Sequence, residues 1–250
     1  MIFVRQTVQG GIAEVRLERG KVNALNEQVV DELSLCFRDL AADSSTRAIL
    51  LTGSGKFFSF GFDIPEFMEA PKEAFAAYLE KFTALYRTLF AHPKPVVAAI
   101  NGHAVAGGCM LATACDARVM AKENAKIGLN EIGFGSSLFA GSLALLRFWL
   151  GERRAQDLVY SGALYPAEQA LALGLVDAIV PEVTLLDEAR RRLQELAAKP
   201  PAAFRSIKLL LRQPVLEEMH RREAASIREF VEIWYSAETR RQLEKIKIHA

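Results

Sequence analysis

Near its start the chain alternates. In IFVRQTVQ and IAEVRLER apolar residues fall at every second place on either side of a glycine pair, which predicts a hairpin with one face buried. After KVNALN the period becomes helical: Asn26 is a capping residue, and Val29, Val30, Leu33, Cys36, Phe37 and Leu40 recur at helical spacing as far as Asp43. AILLTG then predicts a short strand covered on both faces and ended by glycine. The plan repeats, with a helix from about Pro71 to His92, a buried strand in PVVAAING, a helix from about Ala106 and a strand in DARVMA. Strands alternating with helices predict an α/β fold with a largely parallel sheet. From Leu138 onward the pattern is helical apart from a strand at VDAIVP. The C-terminal stretch is amphipathic, which predicts that it packs on another surface or another subunit.

Composition narrows the classes. At 250 residues and 51% apolar, the chain can bury a substantial core. Its apolar runs are far shorter than the ~20 residues that span a bilayer, and its start lacks the basic-then-apolar pattern of a secretory leader. The expectation is a cytoplasmic protein with no membrane partner. A net charge of +1 argues against a nucleic-acid surface. The arginine pairs at 153, 221 and 240 and the run RRRLQ at 190–194 read as solvated helix faces, or for one of them as a seat for a phosphorylated ligand. Cys36, Cys109 and Cys115 have no CxxC spacing and no histidine at a ligand interval, so buried thiols and no metal site are expected.

Spacing eliminates several chemistries. LTGSGKFFSFGFD fails as a phosphate loop because Phe57 follows the lysine, and fails as a dinucleotide fingerprint because Phe58 stands where the third glycine belongs. No strand end carries the GxSxG of a nucleophile elbow. Two strand-to-turn junctions remain, SFGFD at 59–63 and VAGGCM at 105–110. Glycine there lets a ligand reach backbone N–H groups, and two such groups together make an oxyanion hole. The same glycines could equally serve close packing of helix on strand.

From the first hairpin to VDAIVPE the chain resembles the crotonase superfamily of enoyl-CoA hydratases and isomerases. The resemblance is carried by KVNALN, LTGSGKFFSFGFDI, KPVVAAINGHAVAGGCMLATACDARV, IGLNEIGFG and YSGALYPAEQALALGLVDAIV. It implies a superhelix of ββα units, with residues 1–195 as an α/β core holding an acyl-CoA site and 196–250 as a helical region that builds trimers, often paired into hexamers. It also implies an acyl-CoA thioester substrate, coenzyme A being part of that substrate and no further cofactor being needed. Carried over by position, the amides of Phe62 and Gly107 hold the thioester oxygen. The coenzyme A contacts fall around Val22 and Ala24 and along Phe60, Gly61, Asp63 and Ile64.

Family hydratases carry two glutamates, one just after the glycine turn and one some twenty residues later. Here Met110 occupies the first position and Glu131 the second. Hydration divides work between two carboxyl groups, whereas one is enough to move a proton. GLNE in KIGLNEIG is similar to the mitochondrial-type Δ3,Δ2-enoyl-CoA isomerases, which have an apolar residue at the first position. The expected reaction is a shift of the double bond from C3 to C2 through Glu131. Met110, Leu111, Phe134 and Leu138 are expected to wall the acyl site, and Asn130 to orient substrate or Glu131. Asp63 is expected to hold its turn, Asp116 to be structural, and Glu66 stands as an alternative second acid. GFGSSLFAGS departs from the proline and paired glycines usual in hydratases. Hydration or another crotonase reaction, and a non-catalytic acyl-CoA-binding trimer, remain the alternatives.

Overall fold

The computed structural model describes residues 1–246; residues 247–250, the end of the expected C-terminal helical region, lie outside the described residues. Strands β1 (Val4–Gln9) and β2 (Ile12–Leu17) form the antiparallel hairpin. β2 alternates as its sequence predicts, burying Ala13, Val15 and Leu17. β1 does not: it is the edge strand, and only Val4 is buried. Helix α1 (Glu27–Ala42) begins at Asn26, whose side chain accepts the N–H of Val29 at 3.1 Å. Its Glu32 carboxylate accepts the N–H groups of Ile2, Phe3 and Val4 at 2.9, 2.9 and 3.0 Å, fastening the N-terminus.

The repeating units follow. The first is β3 (Ala48–Thr52), β4 (Phe57–Ser59), α2 (Ile64–Glu69) and α3 (Lys72–Phe90); the second is β5 (Val96–Ile100), β6 (His103–Val105) and α4 (Gly107–Ala114). The third is β7 (Ala117–Ala121), β8 (Lys126–Gly128), a 3-10 turn at Glu131–Phe134 and α5 (Ala140–Ser161). After them come β9 (Tyr165–Pro166), α6 (Ala167–Leu173), β10 (Ala178–Val180), α7 (Leu185–Ala197), α8 (Pro201–Trp234) and α9 (Ala237–Leu243). Each repeat gives its first strand to a six-stranded sheet ordered β1-β2-β3-β5-β7-β10 and its second to a smaller sheet ordered β4-β6-β8-β9. Successive repeats pair in parallel in both sheets, which makes the chain a crotonase-type superhelix of ββα turns. SFGFD and VAGGCM do begin at strand ends, Ser59 and Val105, but the smaller sheet those strands form is a correction to the sequence reading, as is β9, since the sequence predicts one strand after Leu138.

The long apolar runs explain themselves in section. Ala48 and Leu50 of β3, Val97 and Ala99 of β5, and Val119 of β7 face Leu185, Ala189 and Leu193 of α7. Their neighbours Ile49, Leu51, Ala98, Ile100 and Met120 face the main core on the other side. A strand covered on both faces has no polar positions to spare. Helix α8 packs on α5 and α3 through Met219, Glu223, Ile227, Phe230 and Trp234, a spacing of three or four that sets them on one stripe. The amphipathic C-terminal stretch therefore closes over its own chain. Among the described residues no helix is long and apolar enough to cross a membrane.

Candidate active site

Two chain segments lie side by side at the mouth of the smaller sheet. Phe60 N–H donates to the Val22 carbonyl at 2.9 Å, Leu25 N–H to that of Gly61 at 2.7 Å, and Asp63 N–H to that of Leu25 at 3.2 Å. In this parallel bridge between Leu25 and Phe62, the residues flanking Phe62 make the bonds and its own N–H points the other way. Among the described residues that N–H has no acceptor. The chain from Val22 to Leu25 thus runs alongside the bend from Phe60 to Asp63. Asp63 accepts the N–H of Glu66 at 3.2 Å, capping α2, and pairs with Arg19 at 2.7 Å.

The second bend begins at Ala106, whose φ of 50° and ψ of −119° place a non-glycine residue in a strained region of the backbone. Such an outlier costs on the order of 1–3 kcal/mol and persists only where its surroundings dictate it. Here Ala106 N–H is tied to the Gly128 carbonyl at 3.0 Å, and its carbonyl accepts from Met110 N–H at 3.0 Å. The turn delivers Gly107 as the first residue of α4, where an N–H has no partner within the helix and the helix dipole is positive. No other described residue accepts it.

The two bends touch. A Cβ added to Gly61, whose φ is +98°, would sit 3.0 Å from the Gly107 nitrogen, and one added to Gly108 would sit 2.3 Å from the Ser59 carbonyl oxygen. The glycines permit helix and strand to approach, and at Gly61 the approach is to the Gly107 amide itself.

Glu131 opens the 3-10 turn. It is 4% exposed, and its Oε2 has no hydrogen-bond partner among the described residues. Burial raises its carboxyl to a pKa of about 8, because the charged form has been taken out of water without a cation to replace it. Its backbone is held more firmly than its side chain. Ser136 N–H donates to the Glu131 carbonyl at 2.9 Å, Gly133 N–H to that of Asn130 at 3.0 Å, and Thr239 Oγ1 of α9 to that of Gly135 at 2.6 Å.

A cavity of about 40 Å3 adjoins the carboxyl. Phe60, Phe62, Ile64, Asn130 and Glu131 line it, and Ala106 brings the start of α4 to its edge. Glu131 is the only carboxyl among its described lining residues. Of the expected apolar wall only Phe134 lines this space: Met110 and Leu111 are buried within the helical core, and Leu138 packs against that core. Glu66 is corrected as a second acid. Arg19 at 3.3 Å and Asn26 at 3.0 Å draw its carboxylate to the surface, away from the cavity. Asp116 is structural, binding Lys208, Arg212 and the Val96 N–H.

Sequence reasoning missed Phe230 and Trp234, which close the cavity from α8. Their spacing along an amphipathic helix marked them as buried, but nothing local said against what. The strain at Ala106 had no sequence signal, since alanine is not a residue that announces a positive φ.

A family model described as enoyl-CoA hydratase/isomerase matches residues 7–247. The chain is 37% identical over 191 residues to a 2,3-dehydroadipyl-CoA hydratase of Escherichia coli, covering 76% of this chain and 72% of that protein. It is 30% identical over 240 residues to the mitochondrial enoyl-CoA delta isomerase 1 of Rattus norvegicus, covering 92% of this chain and 80% of that one. The crystal structure of human mitochondrial delta3-delta2-enoyl-CoA isomerase superposes with a TM-score of 0.93 at 28% identity, over 97% of this chain and 95% of that chain. Matches on this scale, to both hydratases and isomerases, reach from the hairpin to the C-terminal helices: the chain is an enzyme of the enoyl-CoA hydratase/isomerase family, with the crotonase fold.

Proposed function

We propose that the protein shifts the double bond of a 3-enoyl-CoA to the 2-position, with Glu131 as the single proton-transfer group. The observation that carries this reading is that Glu131 is the sole carboxyl among the described residues lining its cavity, while Met110 stands where a hydratase has its other glutamate. The Glu131 carboxylate takes a proton from C2, and the bonding pair passes into the thioester as a dienolate. The N–H groups of Phe62 and Gly107 stabilise the oxygen that gains charge; one such donor is worth roughly 3–4 kcal/mol. The protonated Glu131 then returns the proton at C4, which leaves the double bond between C2 and C3 and the carboxylate restored. Asn130 lies next to it in the cavity and orients the acyl group or the acid.

Coenzyme A enters as part of the substrate, along the backbone of Val22 and Ala24 and the segment Phe60, Gly61, Asp63 and Ile64, with no separate cofactor or metal. Ile207, Leu210 and Leu211, apolar and exposed on α8, are suited to an interface between copies, so the functional unit is proposed to be a trimer or a pair of trimers. The test supplies purified protein with 3-hexenoyl-CoA and, separately, 2-hexenoyl-CoA. Conversion of the first to the conjugated thioester with little hydration of the second is expected. Hydration is the second reading, favoured by the identity to the E. coli hydratase. Rapid water addition to 2-hexenoyl-CoA with no migration in 3-hexenoyl-CoA would establish it instead.

A further inference from the structure

Past Glu131 the cavity ends on aromatic rings. The space beside the carboxyl is narrow, about 40 Å3. Phe230 and Trp234, each 1% exposed, form the closing wall. Whether a longer chain could push past them depends on what stands behind. Phe230 stacks on Phe139 with centroids 4.6 Å apart, Trp234 rests on Phe75 at 4.8 Å, and Phe62 meets Phe82 edge-on at 4.9 Å.

Phe75, Phe82 and Phe139 are themselves fully buried. Methionine or leucine at the end of a pocket yields by changing rotamer, but a ring packed on a second layer of rings has no vacant volume to enter. Tyr78, edge-on to Phe62 at 5.3 Å, belongs to the same layer, buried and donating to the Leu25 carbonyl at 2.9 Å.

We propose that the enzyme selects short over long acyl chains, and that Trp234 and Phe230 set the limit. The inference rests on the reading that an enoyl thioester reacts beside Glu131. Trp234 is a convenient place to test it, because its Nε1–H has no acceptor among the described residues and truncation removes packing alone.

Saturated acyl-CoAs from butyryl to dodecanoyl, titrated calorimetrically into the wild-type protein, read the limit without any reaction. Affinity is expected to rise by up to about fourfold per methylene while each is buried, then to fall once the chain reaches the wall, so that dodecanoyl-CoA binds more weakly than hexanoyl-CoA. Trp234→Ala is expected to raise the ratio of decanoyl-CoA to butyryl-CoA affinity at least tenfold. Phe230→Leu, a smaller excision in the same wall, is expected to move the ratio in the same direction and keeps the test open if the first variant does not fold. Wild-type protein that binds dodecanoyl-CoA as tightly as hexanoyl-CoA, or variants that leave the ratio unchanged, would overturn the proposal. A clear break in binding together with no migration of the double bond in 3-hexenoyl-CoA would reject the isomerase reading and leave the length limit standing. Absence of binding by every acyl-CoA would overturn both.

Discussion

Thr239 Oγ1 donates to the carbonyl of Gly135 at 2.6 Å, and this bond joins the last helix of the chain to the turn that carries Glu131. Gly135 ends that turn in the left-handed conformation, with φ of 75°, so its carbonyl direction is set by the turn itself. Thr239→Val keeps the shape and deletes the donor. A fall in kcat of up to about tenfold is expected, from one lost hydrogen bond worth roughly 0.5–1.5 kcal/mol. Steady-state rates alongside an unchanged circular dichroism spectrum would check it.

Glu131→Gln is expected to abolish isomerisation while stabilising the fold. The buried carboxyl has its pKa raised from 4.5 to about 8, so the folded state holds a proton that the unfolded state releases between those values. Wild-type stability from this group is therefore greatest below pH 4.5 and declines until about pH 8, where an uncompensated charge is buried. The variant has no such decline. Melting curves should coincide near pH 4 and separate in favour of the variant by on the order of a few kcal/mol at pH 8. Equal separation at both values would contradict the assignment.

The same carboxyl must be ionised to accept a proton from C2. The kcat/KM for 3-hexenoyl-CoA is expected to climb with pH, with an apparent pKa near 8, and to level off above it. A profile flat from pH 6 to 9 would exclude Glu131 as the base in the free enzyme.

Gly61→Ala tests the junction of the two bends. The new methyl would lie 3.0 Å from the Gly107 nitrogen at a φ of +98°, where an L-residue is strained. A stability loss of about 1–3 kcal/mol is expected. If the Phe62 and Gly107 amides act as proposed, the fall in kcat should exceed the rise in KM, because such donors act on charge that develops during the reaction. Kinetics at saturating and limiting substrate separate the two.

Asp116→Asn leaves two buried cations short of their anion. Lys208 Nζ and Arg212 Nη2 bind its carboxylate at 2.7 and 2.9 Å, and both side chains are nearly covered. Denaturant unfolding should show a loss of about 3–5 kcal/mol, with the chemistry at Glu131 little altered.

Much of the architecture was legible because burial on both faces writes itself as uninterrupted apolar runs, as in AILLT and VVAAI. The hairpin's edge was less so: Val8 alternates correctly in β1 but stays exposed, since alternation does not say what lies opposite. β4, β6 and β8 are each three residues long, too short to display a period, and their pairing comes from the repeat rather than from local preference. Motifs point to Glu131, Phe62 and Gly107, whereas the bends and helix starts that hold them are braced by distant chain. Phe230, Trp234 and Thr239 arrive from the far C-terminus, a tertiary fact that sequence spacing does not encode.

Phe62 follows β4 and Gly107 follows β6, strands that are direct neighbours in the smaller sheet. Adjacent strands are spaced ~4.8 Å apart, and two donors each ~2.9 Å from one oxygen can be separated by little more than that. For the proposed reaction the pitch of the coil would suit a single atom, one rung contributing each half of the cradle. Anything that shears neighbouring rungs, however far from the ligand, would loosen its grip on the oxygen before it unravelled the protein.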